Sequence, residues 1–86
     1  MIVTYIQWKD ASHSLSEWEI EKIEPSLLSE VGFLLRETDD AVTLGIEAPD
    51  GSDTSTRLWL CIPKVNIMDR RDMELEKAFP VRRKRR

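Results

Sequence analysis

The stretch VGFLLRETDDAVTLG, at residues 31–45, decides the fold of this chain. Its first five residues are apolar on both faces of an extended chain, so residues 29–37 are predicted to form a strand at the centre of a sheet. Gly32 lies inside this strand, where a glycine marks a sharp bend or a close backbone approach. Strongly bent central strands let small barrels turn their corners. The segment therefore predicts a curved β-sheet.

The second half of the stretch predicts the turn and the return strand of a hairpin. Thr38-Asp39-Asp40 is expected to form a tight turn, because aspartate side chains can bond the local backbone. Residues 41–48 then alternate, and Val42, Leu44 and Ile46 are expected to face the core.

Strands are also predicted on both sides of this hairpin. Residues 2–8 alternate and are rich in β-branched and aromatic side chains, with Trp8 expected in the core. Residues 54–62 form the next strand, which Pro63 ends because proline lacks an amide donor. The apolar residues on one face of that strand are Leu58, Leu60 and Ile62. Residues 65–71 are then predicted to form a short turn or bridging strand.

Residues 16–23 fit either a short helix or a strand. Ser16 and Glu19 have the spacing of a capping box, whereas WEIE at 18–21 alternates. We expect a helix of two turns that ends before Pro25. Its acidic side chains form either a solvated face or a docking face for a basic partner. Further along, three apolar residues are expected to cover one end of the core: Met73, Leu75 and Phe79.

These elements predict a mainly β fold. An open sheet would leave exposed edges, which closure into a barrel removes. LCIP followed by KVNIMDR, at residues 60–70, is a strand–turn–strand ending common in SH3-like and Sm-like barrels. We predict a small, partly open barrel of that kind, with about five antiparallel strands and one short helix; a two-layer α+β sandwich is the alternative. Residues 1–79 are expected to form a single domain, and residues 80–86 a disordered basic tail.

Composition argues against several functional classes. The single cysteine, Cys61, excludes an intrachain disulfide and favours a reduced, cytoplasmic setting. One histidine and one cysteine cannot supply a zinc site, and no apolar run is long enough to span a bilayer. Asp39 and Asp40 fall at a solvated turn, and His13 lies between serines without a nucleophile-elbow motif. We therefore predict a chain that is not an enzyme and needs no cofactor, metal or membrane.

Two groups of residues are candidates for binding. Trp59 lies on the strand face opposite Leu58, Leu60 and Ile62, two residues from Arg57. Whether Trp59 faces solvent or is covered stays open at this point; an exposed tryptophan beside an arginine is typical of an interaction hot spot or a base-stacking platform. The candidate partner-binding residues are Arg57, Trp59, Arg70 and Arg71. The candidate nucleic-acid-binding residues are Arg82, Arg83, Lys84, Arg85 and Arg86.

The net charge of −3 conceals an uneven distribution. Residues 10–53 hold 12 acidic and 2 basic side chains, whereas residues 82–86 are all basic. Three interpretations of the basic tail stay open. It binds nucleic-acid phosphates, folds back on the acidic region of the chain, or contributes only to solubility. The acidic remainder of the chain opposes an approach to nucleic acid.

Four pieces of the sequence together resemble a group of small, uncharacterised proteins encoded by tailed bacteriophages and prophages. The pieces are WKDA at 8–11, Trp18, VGFLLRETDDAVTLG at 31–45 and CIPKVNI at 61–67. The resemblance implies origin and fold, and it carries no established activity. It does not extend to the basic tail.

The first functional hypothesis is therefore a phage-type, non-catalytic interaction module in the host cytoplasm. It binds a host or phage protein, and a homo-oligomer is one form of this hypothesis. The alternatives are a nucleic-acid-binding barrel that uses Trp59, Arg57 and the basic tail, and a component of virion assembly.

Overall fold

The structure is a computed structural model that describes residues 1–12, 14, 16–49 and 55–80. Five antiparallel strands form one sheet in the order β4-β3-β2-β1-β5. The strands are β1 (Ile2–Asp10), β2 (Ser26–Glu37), β3 (Ala41–Gly45), β4 (Trp59–Pro63) and β5 (Ile67–Glu74). The helical elements are α1 (Leu75–Ala78) and two single 3-10 turns, Ile20–Lys22 and Lys64–Asn66.

This architecture confirms the predicted fold class. The fold is mainly β, and the apolar strand β2 lies at the centre of the sheet. After β4, a single 3-10 turn redirects the chain into β5, which pairs with β1 at the other end of the strand order. The result is a small, partly open barrel-like sheet with one short helix. In the described residues no helix has both the length and the hydropathy to cross a membrane.

The core lies on one face of the curved sheet. Its buried members are Ile6, Trp8, Val42, Leu44 and Ile62, with Leu34, Leu60 and Ile67 packed against them. Alternate residues of β1 face this core, because successive side chains of a strand point to opposite faces. Trp8 is only 5% exposed, which confirms its predicted position.

Gly32 marks a close approach between two strands, as predicted. A Cβ atom at this position would lie 2.9 Å from the carbonyl oxygen of Gly45 and 3.2 Å from the Cβ of Leu44. These atoms belong to β3, which pairs with β2. The absent side chain lets the two backbones come together.

The turn between β2 and β3 is held by a different side chain from the one expected. The backbone amides of Asp40 and Ala41 donate to Oγ1 of Thr38, at 3.3 and 3.1 Å. The amide of Thr38 also donates to the carbonyl oxygen of Ala41, at 2.9 Å. The position of the turn was predicted correctly, but the threonine hydroxyl accepts the bonds that were expected of the aspartates.

The predicted helix at residues 16–23 is wrong in extent. Only Ile20–Lys22 forms a 3-10 turn, and its preceding residue, Glu19, makes no side-chain cap. Ile20 and Ile23 are exposed. Since a short helix depends on burying an apolar face, no packing compensates here for the cost of starting one.

Two residues expected in the core are exposed instead. β3 ends at Gly45 and β4 begins only at Trp59, so Ile46 and Leu58 lie outside the strands. Leu58 has a φ of 56°, a left-handed conformation that interrupts the extended chain. The strand predicted over residues 54–62 is therefore shorter than expected.

The segment after β5 also differs from the expectation. Met73 and Phe79 are exposed, so they do not cover an end of the core, and Leu75 at the start of α1 is half-buried. Residues 81–86 and His13 lie outside the described part of the chain, so the predictions made for them are not addressed by the structure.

Candidate interaction surface

The face of the sheet opposite the core carries a transverse row of residues, one from each strand. The pairing registers align Met73 with Val3, Val3 with Phe33, Phe33 with Gly45, and Gly45 with Trp59. We call these five residues the apolar row. Side chains that pair directly across strands have Cβ atoms about 4.5–5.5 Å apart, so neighbours in the row are within contact distance.

Gly45 does not leave a gap in this row, because a neighbouring leucine fills the space. The β2–β3 register shifts between Leu34 and Arg36, which gives β2 one extra residue, Leu35. A Cβ atom on Gly45 would lie only 2.5 Å from Cδ1 of Leu35. Leu35 therefore lies over Gly45 and joins Phe33 to Trp59 in one apolar surface.

The row is accessible to a partner. Trp59 is 59% exposed and Met73 is 49% exposed, while Val3 and Phe33 are half-buried. Val31, two residues before Phe33 and on the same face, is 67% exposed. The structure thus answers the question that the sequence left open, because Trp59 faces outward. Contiguous exposed apolar surface of this kind marks binding sites on soluble proteins.

Two basic side chains on the outer face flank the apolar row, and we call them the basic rim. They are Arg36, which pairs in register with Thr43, and Arg71. Arg71 pairs in register with Tyr5 on the outer face, and its Nε lies 3.5 Å from Oδ2 of Asp69. Arg57 precedes Trp59 by two residues, and its Nε donates to Oε1 of Glu47 at 2.8 Å.

Arg70 lies on the core face of β5, opposite the outer face that carries Arg71. It pairs in register with the core residue Ile6, and its side chain is only 25% exposed. Its guanidinium donates to both carboxylate oxygens of Glu37, at 2.7 and 3.0 Å, and to Asp72 at 3.2 Å. These bonds raise the pKa of Arg70. The guanidinium is thus paired within the chain, in a partly exposed ion cluster with Glu37 and Asp72.

The structure therefore separates the four candidate partner-binding residues. Trp59 and Arg71 lie on the outer face, and Arg70 lies on the core side. Arg57 lies outside the strands, before β4, where it is paired with Glu47. Trp59 is on β4 and Arg71 is on β5, the two edges of the strand order. Four strand spacings separate them, about 19 Å along the sheet. A partner that contacts both must therefore lie across the whole outer face.

A second exposed feature is the segment between β1 and β2, at residues 16–24, which we call the acidic loop. It contains four glutamates and one lysine, and Nζ of Lys22 lies 3.1 Å from Oε2 of Glu19. Between these charges, Trp18, Ile20 and Ile23 are exposed, and Ile20 reaches 84%. The loop combines negative charge with apolar side chains that the core does not use.

Within the described ranges, no three side chains of the His, Cys, Asp and Glu types are grouped so as to hold a metal ion. Cys61 is exposed and pairs in register with Thr43 on the outer face. Asp39 and Asp40 are exposed at the turn after β2.

Sequence reasoning identified Trp59 but missed the residues that join it to the opposite edge. Val3 and Phe33 were assigned to strands without a role in binding, and Met73 was expected to cover one end of the core. The available signal was that β1 and β2 are apolar on both faces. Only the pairing register shows that these residues line up with Trp59.

No protein-family model, curated protein or solved structure is significantly similar to this chain.

Proposed function

We propose that this protein is a non-catalytic interaction module that binds a protein partner through the apolar row and the basic rim. The observation that carries the proposal is the apolar row itself, which crosses all five strands on the face that the core does not use. Trp59 anchors one end of the row. Tryptophan and arginine are the residue types most enriched among interface hot spots.

The chemistry of the surface favours a partner segment with apolar side chains and acidic flanks. Beside the aromatic side chains of the row, Val3, Met73 and the neighbouring Leu35 provide flexible apolar surface, which suits side-chain packing. Charges at the edge of an interface mainly set specificity and the rate of association. The basic rim would therefore select and orient an acidic partner around an apolar centre.

The proposed setting is that of a phage-type protein in the host cytoplasm, where it acts on a host or phage protein. The resemblance to small phage and prophage proteins supports this setting. A role in virion assembly is the form of the same proposal in which the partner is a phage structural protein.

Site-specific photo-crosslinking tests the proposal. A photoreactive phenylalanine analogue is placed at position 59, and in a matched control at position 65, where Val65 is 92% exposed on a 3-10 turn away from the row. We expect discrete protein adducts from position 59 in a bacterial lysate and none from position 65. Equal adducts from both positions, or none from position 59, would contradict the proposal.

Nucleic-acid binding is the second candidate, because aromatic and basic residues share the outer face. Tyr5, Phe33 and Trp59 project from the same face as Arg36 and Arg71. Single strands bind such faces by base stacking and phosphate contacts. The overall negative charge acts against this candidate.

Salt dependence distinguishes the two candidates. Binding of a single-stranded oligonucleotide should weaken steeply with salt and should be lost on Trp59→Ala and on deletion of residues 82–86. Affinity that is unchanged after deletion of the tail would exclude the form of this candidate in which the tail takes part.

A further inference from the structure

We propose that the acidic loop of one copy binds the apolar row and basic rim of a second copy, so that the chain associates with itself. The inference rests on the proposed function, because it names the occupant of the same surface. The chain itself contains an acidic segment with apolar side chains, which is the kind of partner that this surface favours.

The two surfaces are complementary in charge and in apolar character. The acidic loop has a net charge of −3 from Glu17, Glu19, Glu21 and Glu24 against Lys22. On the outer face near the row, two basic side chains, Arg36 and Arg71, stand against one carboxylate, that of Asp69. Both surfaces expose a tryptophan together with aliphatic side chains. Opposite potentials of this kind orient two surfaces as they meet.

Within one copy, the acidic loop is held away from the row. β1 and β2 pair without interruption from Val3 with Phe33 to Asp10 with Ser26. The loop begins beyond this last pair, seven residues along β1 from the row, which corresponds to about 23 Å of strand. Trp18 is 59% exposed in the single chain, so the row does not cover it. A second copy can present the loop without bending this hairpin.

Two copies that exchange this contact reciprocally form a closed two-fold dimer, in which the loop of each copy meets the row of the other. A stable interface buries about 800 Å² on each partner. One short loop on one row falls below that area, whereas two reciprocal contacts double it. We therefore infer a dimer in which each copy supplies one loop and one row.

The experiment measures the mass of the full chain in solution by light scattering and analytical ultracentrifugation over a range of concentrations. Trp18→Ala removes the anchor of the loop, and Trp59→Ala removes the anchor of the row. Each is expected to raise the dimer dissociation constant at least tenfold, roughly the loss of a hot-spot residue. Val65→Ala, on the 3-10 turn outside both surfaces, is the matched control and should leave it unchanged.

Mixing the two defective variants gives the sharpest test. The Trp18→Ala chain keeps an intact row and the Trp59→Ala chain keeps an intact loop, so their mixture restores one of the two contacts. We expect the mixture to associate more strongly than either variant alone and more weakly than the wild type. Circular dichroism confirms that the variants are folded. Arg71→Glu, in the basic rim, reverses a charge on a side chain that is 78% exposed, and it should also weaken the dimer.

Three results would overturn the inference: a chain that is monomeric at every concentration, a dimer insensitive to Trp18→Ala, or a mixture no more associated than its components. A monomer that still gives specific adducts from position 59 would refute the self-association and leave the proposed function standing. Absence of any adduct from position 59, copies of the chain included, would remove both.

Discussion

The guanidinium of Arg70 binds the carboxylate of Glu37 through two hydrogen bonds, at 2.7 and 3.0 Å, although β5 and β2 are not paired with each other. Both strands flank β1. Nζ of Lys64, on the 3-10 turn between β4 and β5, lies 2.7 Å from the same carboxylate. Glu37 thus joins three parts of the chain on the core side of the sheet, where the strand order leaves the barrel partly open.

This cluster predicts a loss of stability in acid. Hydrogen bonds from Arg70 and then Lys64 lower the pKa of Glu37 from 4.5 to about 2. A carboxyl whose pKa is depressed by folding stabilises the fold above its unfolded pKa, and that contribution disappears as the pH falls toward the folded pKa. We expect the wild-type melting temperature to fall between pH 4.5 and 2 more steeply than that of Glu37→Gln.

The measurement is thermal unfolding followed by circular dichroism across that pH range. Glu17→Gln, in the exposed acidic loop, controls for the removal of a carboxylate outside the cluster. Because the Glu37 side chain is 36% exposed, added salt should reduce the difference. Parallel pH profiles for the wild type and Glu37→Gln at low salt would show that the cluster does not contribute.

Burial predicts that substitutions at two residues close in sequence change the free energy of unfolding by different amounts. Ile62 is fully buried, whereas Val65 is 92% exposed. Ile62→Val should lower the free energy of unfolding by about 1 kcal/mol, because it removes a methylene group from a packed core. Val65→Ala should change it by less than about 0.5 kcal/mol. Urea denaturation gives both values, and equal effects would mean that the core is placed incorrectly.

Alanine at either strand glycine, Gly32 or Gly45, brings a steric clash, and the two clashes are expected to differ in whether a neighbouring side chain can relieve them. In Gly32→Ala the new methyl group meets the backbone of Gly45, which cannot move freely, so a loss of about 1–3 kcal/mol is expected. In Gly45→Ala it meets the end of the Leu35 side chain as well as a backbone oxygen.

A double-mutant cycle in chemical denaturation tests this difference. Leu35→Ala should couple favourably to Gly45→Ala by about 1 kcal/mol, because it removes the side chain that the methyl group displaces. Leu35→Ala should not rescue Gly32→Ala. Additive effects in both combinations would contradict the placement of Leu35 over Gly45.

Leu58 offers a site for stabilisation. It has a φ of 56°, a conformation that costs a residue with a branched side chain about 1–2 kcal/mol and that asparagine tolerates better. Leu58→Asn should therefore stabilise the fold by about 0.5–1 kcal/mol. Ile46→Asn is the matched control, since Ile46 is equally exposed and has no positive φ. Equal changes in the two variants would argue against the left-handed conformation.

The parts of the fold that could be predicted from the sequence are those with local causes. Alternation in β1 and β2 identified the strands and placed Trp8 in the core, and the LCIPKVN segment predicted the final turn. The extent of β4 was predicted less well, because the left-handed conformation at Leu58 interrupts a continuous pattern. The acidic loop was wrongly predicted to form a helix of two turns. A capping pattern can be recognised from neighbouring residues, whereas the burial that stabilises a helix depends on residues distant in the sequence.

The apolar row could not be predicted, because it depends on register. Met73 and Val3 become neighbours only through a pairing between the two ends of the domain. No local pattern specifies that pairing, and a shift by one residue would turn every side chain to the other face. Trp59 was recognisable as a binding residue by its type and its position on the strand, whereas its neighbours were recognisable only in three dimensions.

The pairing of β1 with β5 also has a consequence for how the chain folds. β1 can form its hairpin with β2 early, but its other edge finds a partner only when Ile67–Glu74 has returned across almost the whole described chain. Contacts of such large sequence separation carry a high loop-closure entropy, and topologies rich in them fold in milliseconds to seconds. Throughout that interval the amides and carbonyls along the free edge of β1 are available to another chain, so a strand that is paired along both edges in the finished sheet is exposed to mispairing during folding.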